Sequence, residues 1–298
     1  MKTVGVIGLG IMGGFCSSKL MEKGFPVAGY DVVADSCARA KEKGVNVVAS
    51  SAELAQVADA VILFLPKAVH CREALFGEGG LLTAPGKCRL VINMSTVDPD
   101  SNKEFSRLAH EKGVGFIDAP VLGSPTGVGS WALPVGGSEE DIAEAKEILF
   151  ALCGGPNRFF PVGAIGNGNT LKILNNMMLG AINACAAETL SLAQKIGLSP
   201  KLLLDVAIAA NARVLSSAYK EAADRFVNEH YTEPTFSLDM LIKDNRLCME
   251  MAEKNNAPLV LAPVVDYIHS MAAARGYGKL DHAVATKVVT DNWKKLED

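Results

Sequence analysis

Three groups of residues have types and spacings suited to chemistry. The first centres on Lys172, which heads a run from Ile173 to Ala187 without a charged side chain. Lys172, Asn175 and Asn176 stand at i, i+3 and i+4, so they share one face of any helix that contains them. Burial beside apolar walls disfavours an ammonium and pushes its pKa down. A lysine so placed can exchange protons near neutral pH. Spacing alone leaves a second reading open, a lysine whose stem snorkels from the first turns of the helix into water. The second group is Gly8-x-Gly10-x-x-Gly13 followed by Asp31. Glycines so spaced allow a tight turn and let backbone approach a pyrophosphate at a helix N-terminus. An acid about 20 residues further on accepts hydrogen bonds from ribose hydroxyls. The third group lies in "FLP" (Phe64-Leu65-Pro66) and "NMSTVDP" (93–99), where Ser95 and Thr96 are candidate ligand contacts.

Elements able to position these groups are legible. The first half alternates β-rich runs ("TVGVIG", "PVAGY", "VNVV", "AVILFLP", "RLVINMST", "GFIDAP", "LPVGG", "RFFPVG") with amphipathic stretches. Apolar strand runs between helices predict a doubly wound parallel sheet. The glycine motif then lies between the first strand and the first helix. Asp31 ends the second strand, and "FLP" and "NMST" end the fourth and fifth, where open α/β sheets bind ligands. Ser50 with Glu53, Asp98 before Pro99, and Ser138 before "EED" predict helix starts. Glycines 24, 44 and 113 predict helix ends. After Gly163 strand signals stop. A helix over 169–196, about 40 Å long at ~1.5 Å per residue, leads to helices at roughly 200–210, 212–229, 236–256, 258–275 and 281–296. The expected organisation is α/β, with a Rossmann-type dinucleotide-binding domain over 1–164. An all-α domain over 165–298 begins with the long interdomain helix, near a glycine- and asparagine-rich join suited to a cleft floor.

Bulk properties exclude several function classes. The net charge of −4 leaves no electrostatic footprint for nucleic acid or an anionic membrane. Seven cysteines without a CxxC pair read as reduced thiols of a cytoplasmic protein. The opening "MKTVGVIGLG" reads as strand and turn rather than as a signal peptide. The five histidines form no ligand spacing, so no metal site is expected. Asp31 repels a 2′-phosphate, and Val32, Val33 and Ala34 follow it where NADP sites place an arginine, so NAD is expected over NADP.

Together these motifs are similar to those of the β-hydroxyacid dehydrogenases, the family of 3-hydroxyisobutyrate dehydrogenase and tartronate semialdehyde reductase. "GLGIMGG" resembles the dinucleotide signature, "MSTVDP" the fifth-strand motif, "DAPVLGS" the substrate loop, "GNGNTLKILNN" the catalytic helix and "KDNRLCMEMA" a late helix. The resemblance implies that Lys172 is the general acid/base and that Asn176 binds substrate. It implies cofactor contacts from Gly8, Leu9, Gly10, Ile11, Met12, Gly13, Asp31, Leu65, Pro66, Thr96 and Lys243. The loop Leu122, Gly123 and Ser124 is expected at the substrate carboxylate, and Ser95 is a candidate substrate contact whose other reading is a cap for the helix that follows. The family loop usually reads Asp-Ala-Pro-Val-Ser-Gly-Gly, whereas this chain has Leu122 in place of the serine and a hydroxyl at Ser124. Backbone N–H groups of this loop still offer an anion-binding concavity. Trp131 is expected to pack between strands rather than line the pocket.

The activity implied is hydride transfer between NAD(H) and a small 3-hydroxy acid or its semialdehyde, the substrate being a carboxylate or sulfonate. Alternatives are an imine or other carbonyl reductase on the same scaffold, whose members place aspartate or tyrosine at the lysine position, and a non-catalytic NAD-binding scaffold. A homodimer or homotetramer assembled through the helical domain is expected.

Overall fold

A computed structural model describes residues 2–294, with side chains to residue 291. The chain divides into two compact units, Met1–Lys172 and Ile173–Asp298. The division falls inside a helix, a little past the expected boundary at 164/165.

The first unit contains six parallel strands: β1 (Val4–Ile7), β2 (Val27–Tyr30), β3 (Asn46–Val47), β4 (Ala60–Leu63), β5 (Leu90–Asn93) and β6 (Gly115–Asp118). Their order is β3-β2-β1-β4-β5-β6, with Val4 opposite Val27 on one side and Ala60 on the other. The strand order reverses between β1 and β4, which is where a doubly wound sheet opens a ligand crevice. Successive side chains alternate between two cores. Val4, Val6, Ile62, Ile92 and Ile117 enter one, and Ile7, Val61, Leu63, Val91 and Phe116 the other. Helices α1 (Ile11–Glu22), α2 (Ala34–Glu42), α3 (Ser51–Val57), α4 (Ala68–Phe76), α5 (Pro99–His110) and α6 (Glu139–Cys153) connect the strands. The expected caps form. Ser50 Oγ accepts from Glu53 N–H (3.1 Å), Asp98 Oδ1 from Ser101 N–H (2.8 Å) and Ser138 Oγ from Asp141 N–H (3.1 Å). Two of the eight strand runs stay out of the main sheet. β7 (Leu133–Val135) and β8 (Phe159–Pro161) pair only with each other. Each contains a proline, which lacks the N–H that a central ladder requires.

Helix α7 (Asn167–Lys195) runs from the end of the first unit into the second. The second unit adds α8 (Pro200–Ala209), α9 (Ser217–Asn228), α10 (Leu238–Lys254), α11 (Leu261–Ala272) and α12 (Ala285–Lys294). The sequence places α9 at 212, but Ser216 caps it, its Oγ accepting from Tyr219 N–H (3.0 Å), and the helix starts one residue later. The last helix, expected over 281–296, opens with a 3-10 turn at His282–Val284 because the Asp281 carboxylate accepts from Ala283 N–H (3.1 Å). Residues 295 and 296 of that expected helix lie outside the described residues. No helix among the described residues is long and apolar enough to cross a membrane.

The core of this unit (Leu190, Leu238, Ile242, Val284, Val288) adjoins a buried polar cluster. Asn183 Nδ2 lies 3.0 Å from His269 Nε2 and donates to the His282 carbonyl (2.8 Å). Burial pushes the His269 pKa down to about 4 and lowers that of His282. Both rings are therefore neutral in the fold. A depressed histidine pKa contributes stability above the unfolded value near 6.5, and this is lost as pH falls toward 4. His269 alone supplies about 3 kcal/mol of this dependence at about 1.4 kcal/mol per pKa unit. His269→Gln should flatten the loss of Tm between pH 6.5 and 4.5. An unchanged slope in that variant excludes His269 as its source.

Candidate functional site

The glycine turn is shaped partly by the protein and partly for a ligand. Gly8 has φ +92°, and a Cβ there would lie 2.2 Å from the Phe64 carbonyl oxygen. A Cβ on Gly13 would lie 1.8 Å from the Gly8 carbonyl oxygen, so α1 packs directly on the turn. Gly10 differs: it is exposed, and a Cβ there would meet no atom within 4 Å. The protein leaves open the place where a pyrophosphate would approach the backbone. Gly10 is the N-cap of α1 and provides no side-chain cap, so the first N–H groups point out of the turn. Leu9 is buried, while Ile11 is exposed and Met12 half-buried.

Asp31, at the end of β2, ties this turn down. Its Oδ2 accepts from Leu9 N–H (2.6 Å) and its Oδ1 from Val33 N–H (2.8 Å). Each carboxylate oxygen retains a further lone pair for a ribose hydroxyl. Glycines, helix N-terminus and acid thus fit an adenine dinucleotide. Among the described residues, no group of three metal-ligating side chains comes together.

Beyond β4 and β5 the chain ends are stitched together. Ser95 is buried; its Oγ donates to the Leu63 carbonyl (3.3 Å) and accepts from Leu65 N–H (2.9 Å). The hydroxyl expected at the substrate is therefore engaged in holding the Leu65–Pro66 turn. Leu65 is half-buried and Pro66 exposed. Thr96 is half-buried, and the N–H of the next residue, Val97, donates to Asn169 Oδ1 (3.0 Å).

Asn169 leads to the seat of α7. Asp118, fully buried at the end of β6, accepts at Oδ1 from Gly166 N–H (2.7 Å). At Oδ2 it accepts from Asn169 N–H (2.6 Å) and, at longer range, from Asn169 Nδ2 (3.4 Å). Gly168 fits because a Cβ would meet the Pro134 and Asp118 carbonyl oxygens at 2.7 and 2.8 Å. Lys172, half-buried, follows three residues, just under one turn, beyond Asn169.

The loop after β6 departs from expectation at Leu122. Its N–H donates to the Ala132 carbonyl (3.0 Å), and Ala132 N–H returns a bond to the Leu122 carbonyl (3.0 Å). An amide paired in this way is withdrawn from any anion concavity, whereas Gly123 and Ser124 are exposed. Trp131 is fully buried and shapes the same loop. Its Nε1–H donates to the Ser124 carbonyl (2.7 Å), and a Cβ on Gly123 would lie 2.6 Å from its Cδ1. Its ring also meets Phe64 edge-on at 6.3 Å.

In the second unit Asn176 is buried, and its Nδ2 donates to Asp244 Oδ2 (2.6 Å). Asn175 Nδ2 donates to Asn176 Oδ1 (3.0 Å). Lys243 Nζ lies 2.9 Å from Asp244 Oδ1, so Asp244 joins the residue expected at substrate to the one expected at cofactor.

Two family models match. Residues 3–163 match the NAD binding domain of 6-phosphogluconate dehydrogenase, and residues 166–289 the NAD-binding domain of NADP-dependent 3-hydroxyisobutyrate dehydrogenase. The chain is 35% identical to human mitochondrial 3-hydroxyisobutyrate dehydrogenase over 284 residues, covering 93% of this chain and 84% of that protein. The chain belongs to the β-hydroxyacid dehydrogenase family. A second relative is the 2-(hydroxymethyl)glutarate dehydrogenase of Eubacterium barkeri, 29% identical with 98% and 95% of the two chains covered. The crystal structure of a Salmonella typhimurium 3-hydroxyisobutyrate dehydrogenase superposes with TM-score 0.85 at 26% identity, covering 97% of this chain and all of that one.

This β-hydroxyacid dehydrogenase is thus an NAD(P)-binding oxidoreductase acting on a hydroxy acid. Sequence reasoning singled out Lys172, Asn176 and Lys243 but missed the residues bonded to them or to the start of their helix, Asp118, Asn169 and Asp244. Asp118 opens the "DAPVLGS" motif, and the acid of "KD" beside Lys243 is Asp244. An acid ending a buried strand was the available signal, since such a group must find donors.

Proposed function

We propose that this β-hydroxyacid dehydrogenase interconverts a small 3-hydroxy carboxylic acid and its semialdehyde with NAD(H), using Lys172 as general acid/base. The observation that carries this reading is the seat of α7, whose start is fastened to the end of β6 within two turns of Lys172. A proton-transfer group needs that kind of fixed placement. The two relatives' names, 3-hydroxyisobutyrate and 2-(hydroxymethyl)glutarate dehydrogenase, describe a primary alcohol on the carbon next to the one bearing the carboxylate. Gly123 and Ser124, both exposed, are the loop residues assigned to such a carboxylate, or to a sulfonate of similar size. Bound nicotinamide supplies the hydride acceptor or donor. In oxidation the neutral Nζ of Lys172 takes the hydroxyl proton as hydride leaves the same carbon. In reduction the ammonium returns that proton to the developing alkoxide. Asn176, fixed by Asp244, is assigned to the substrate hydroxyl through the second N–H of its amide, the first being given to Asp244.

NAD is favoured over NADP because the Asp31 carboxylate stands at the ribose position, while Arg39 is turned to Ser36 Oγ (3.2 Å). A screen of short 3-hydroxy acids and semialdehydes with both cofactors tests the reading. Turnover is expected, with kcat/KM at least about tenfold higher for NADH, since one unfavourable charge contact costs on the order of 1.4 kcal/mol. Equal efficiency with NADPH refutes the role of Asp31, and turnover of imines alone refutes the substrate class.

Self-association through the helical unit completes the proposal. Leu192 and Ile196 near the end of α7, and Leu202 and Val206 on α8, are about half exposed or more and repeat at i, i+4. A stripe of this kind marks an interface. A dimer or tetramer is expected by light scattering at micromolar concentration, and a monomer contradicts it.

A further inference from the structure

We infer that Asp118 is a positioning residue for catalysis: its carboxylate clamps the start of α7 and so sets where Lys172 presents its amine. The inference rests on the reading of Lys172 given above. Geometry carries it. Both carboxylate oxygens are committed to the residues just before Lys172, Oδ1 to Gly166 N–H and Oδ2 to Asn169 N–H. These are N–H groups at a helix start, which have no partner inside the helix. The carboxylate satisfies them from another element, and its charge faces the positive end of the helix dipole. Asn169 extends the clamp, because its Oδ1 accepts from Val97 N–H beside Thr96. Gly136 and Gly168 leave the carboxylate room, since a Cβ on either would come within 2.5 or 2.9 Å of its oxygens. Asp118 is also where the substrate loop begins, and its backbone exchanges hydrogen bonds with Gly136 (3.0 and 2.9 Å). One residue thereby joins the loop expected at the substrate carboxylate to the helix carrying the proton-transfer group.

The clamp requires the ionised form. A carboxylate accepts at both oxygens, whereas a carboxylic acid directs a hydrogen from one of them. Protonation therefore sets an O–H against a backbone N–H and opens one arm. Burial, outweighing the three donors, raises the group to about 6. Charged groups on the packed elements are few. Across β5 stands Asn93, the segment at Gly136 has none, and Asp98 on the α5 cap is bound to Ser101. Lys172 is the cation on the first turns of α7.

Direction of reaction separates the two groups. A proton on Lys172 hinders oxidation and serves reduction. A proton on Asp118 displaces the helix start and slows both. Semialdehyde reduction by the wild-type enzyme with saturating NADH should therefore fall below about pH 6. In Asp118→Asn this acid limb should vanish, with kcat lowered on the order of 10²-fold across the range, as for a misplacement of about 1 Å. NADH affinity should stay within about threefold, because the nucleotide turn is tied to Asp31 instead. Should the variant not fold, the wild-type protein answers alone. The amide proton shifts of Gly166 and Asn169 should titrate together with a midpoint near 6. An Asp118→Asn enzyme that keeps wild-type kcat, or keeps the acid limb, overturns the inference, as do amide shifts flat from pH 5 to 7.5. A failure of the Lys172 reading is distinguishable: turnover by Lys172→Ala would remove it, while the amide titration would stand.

Discussion

Lys172→Ala is expected to lower kcat about a thousandfold in both directions while NADH binds as before. General acid/base groups contribute roughly 10²–10⁴-fold. The asparagines beside Lys172 carry amides, which do not titrate in the working range. Asp118 is fully buried and committed to Gly166 and Asn169. Cofactor affinity should be spared because the nucleotide turn is built from β1, α1 and Asp31. Stopped-flow single turnovers with prebound NADH separate the two quantities. Turnover within tenfold of wild type would remove Lys172 from the mechanism. Arginine at this position should not rescue, since guanidinium does not give up its proton near neutral pH.

The second large effect concerns the glycine turn, where substitutions three residues apart should act differently, one on stability and one on cofactor affinity. Gly13→Ala places a methyl 1.8 Å from the Gly8 carbonyl oxygen, a backbone atom that cannot step aside without moving β1 from α1. A loss of about 3 kcal/mol is expected, from overpacking, with a fall in Tm of roughly 6–12 °C. Gly10→Ala meets nothing within 4 Å, and its φ of −63° suits alanine, so Tm should stay within about 2 °C. Its methyl instead occupies the approach of a pyrophosphate to the backbone, and NADH affinity should fall at least about tenfold. Thermal melts and NADH titration on the two variants check this. Wild-type affinity in Gly10→Ala would mean that the open space beside Gly10 is not the cofactor's.

Much of this was legible in the sequence because it depends on local periodicity. Strand runs such as "AVILFLP" were readable since both faces are buried, and caps such as Ser50 and Asp98 were readable since their partners lie three residues away. The glycine turn and Asp31 were readable for the same reason. Where the reading fell short, a distant residue decided. Ser95 looked like a ligand contact until Leu63 and Leu65, some thirty positions back, engaged its hydroxyl. Leu122 retained an anion-binding amide until Ala132 folded against it. The expected start of α9 at 212 moved to Ser217 because a nearby serine competed as cap.

The sequence by itself determined the α/β unit, the dinucleotide turn, the acid that ends the second strand, and Lys172 on an apolar helix, because each rests on local pattern. Tertiary structure decided how these parts are held. It put Asp118 under the start of α7, 48 and 51 positions ahead of the two amides it accepts from. It bonded Trp131 to the Ser124 carbonyl and set Asp244 against Asn176, 68 positions away. A buried carboxylate or indole must find partners wherever the chain brings them. No local pattern records which partners those are.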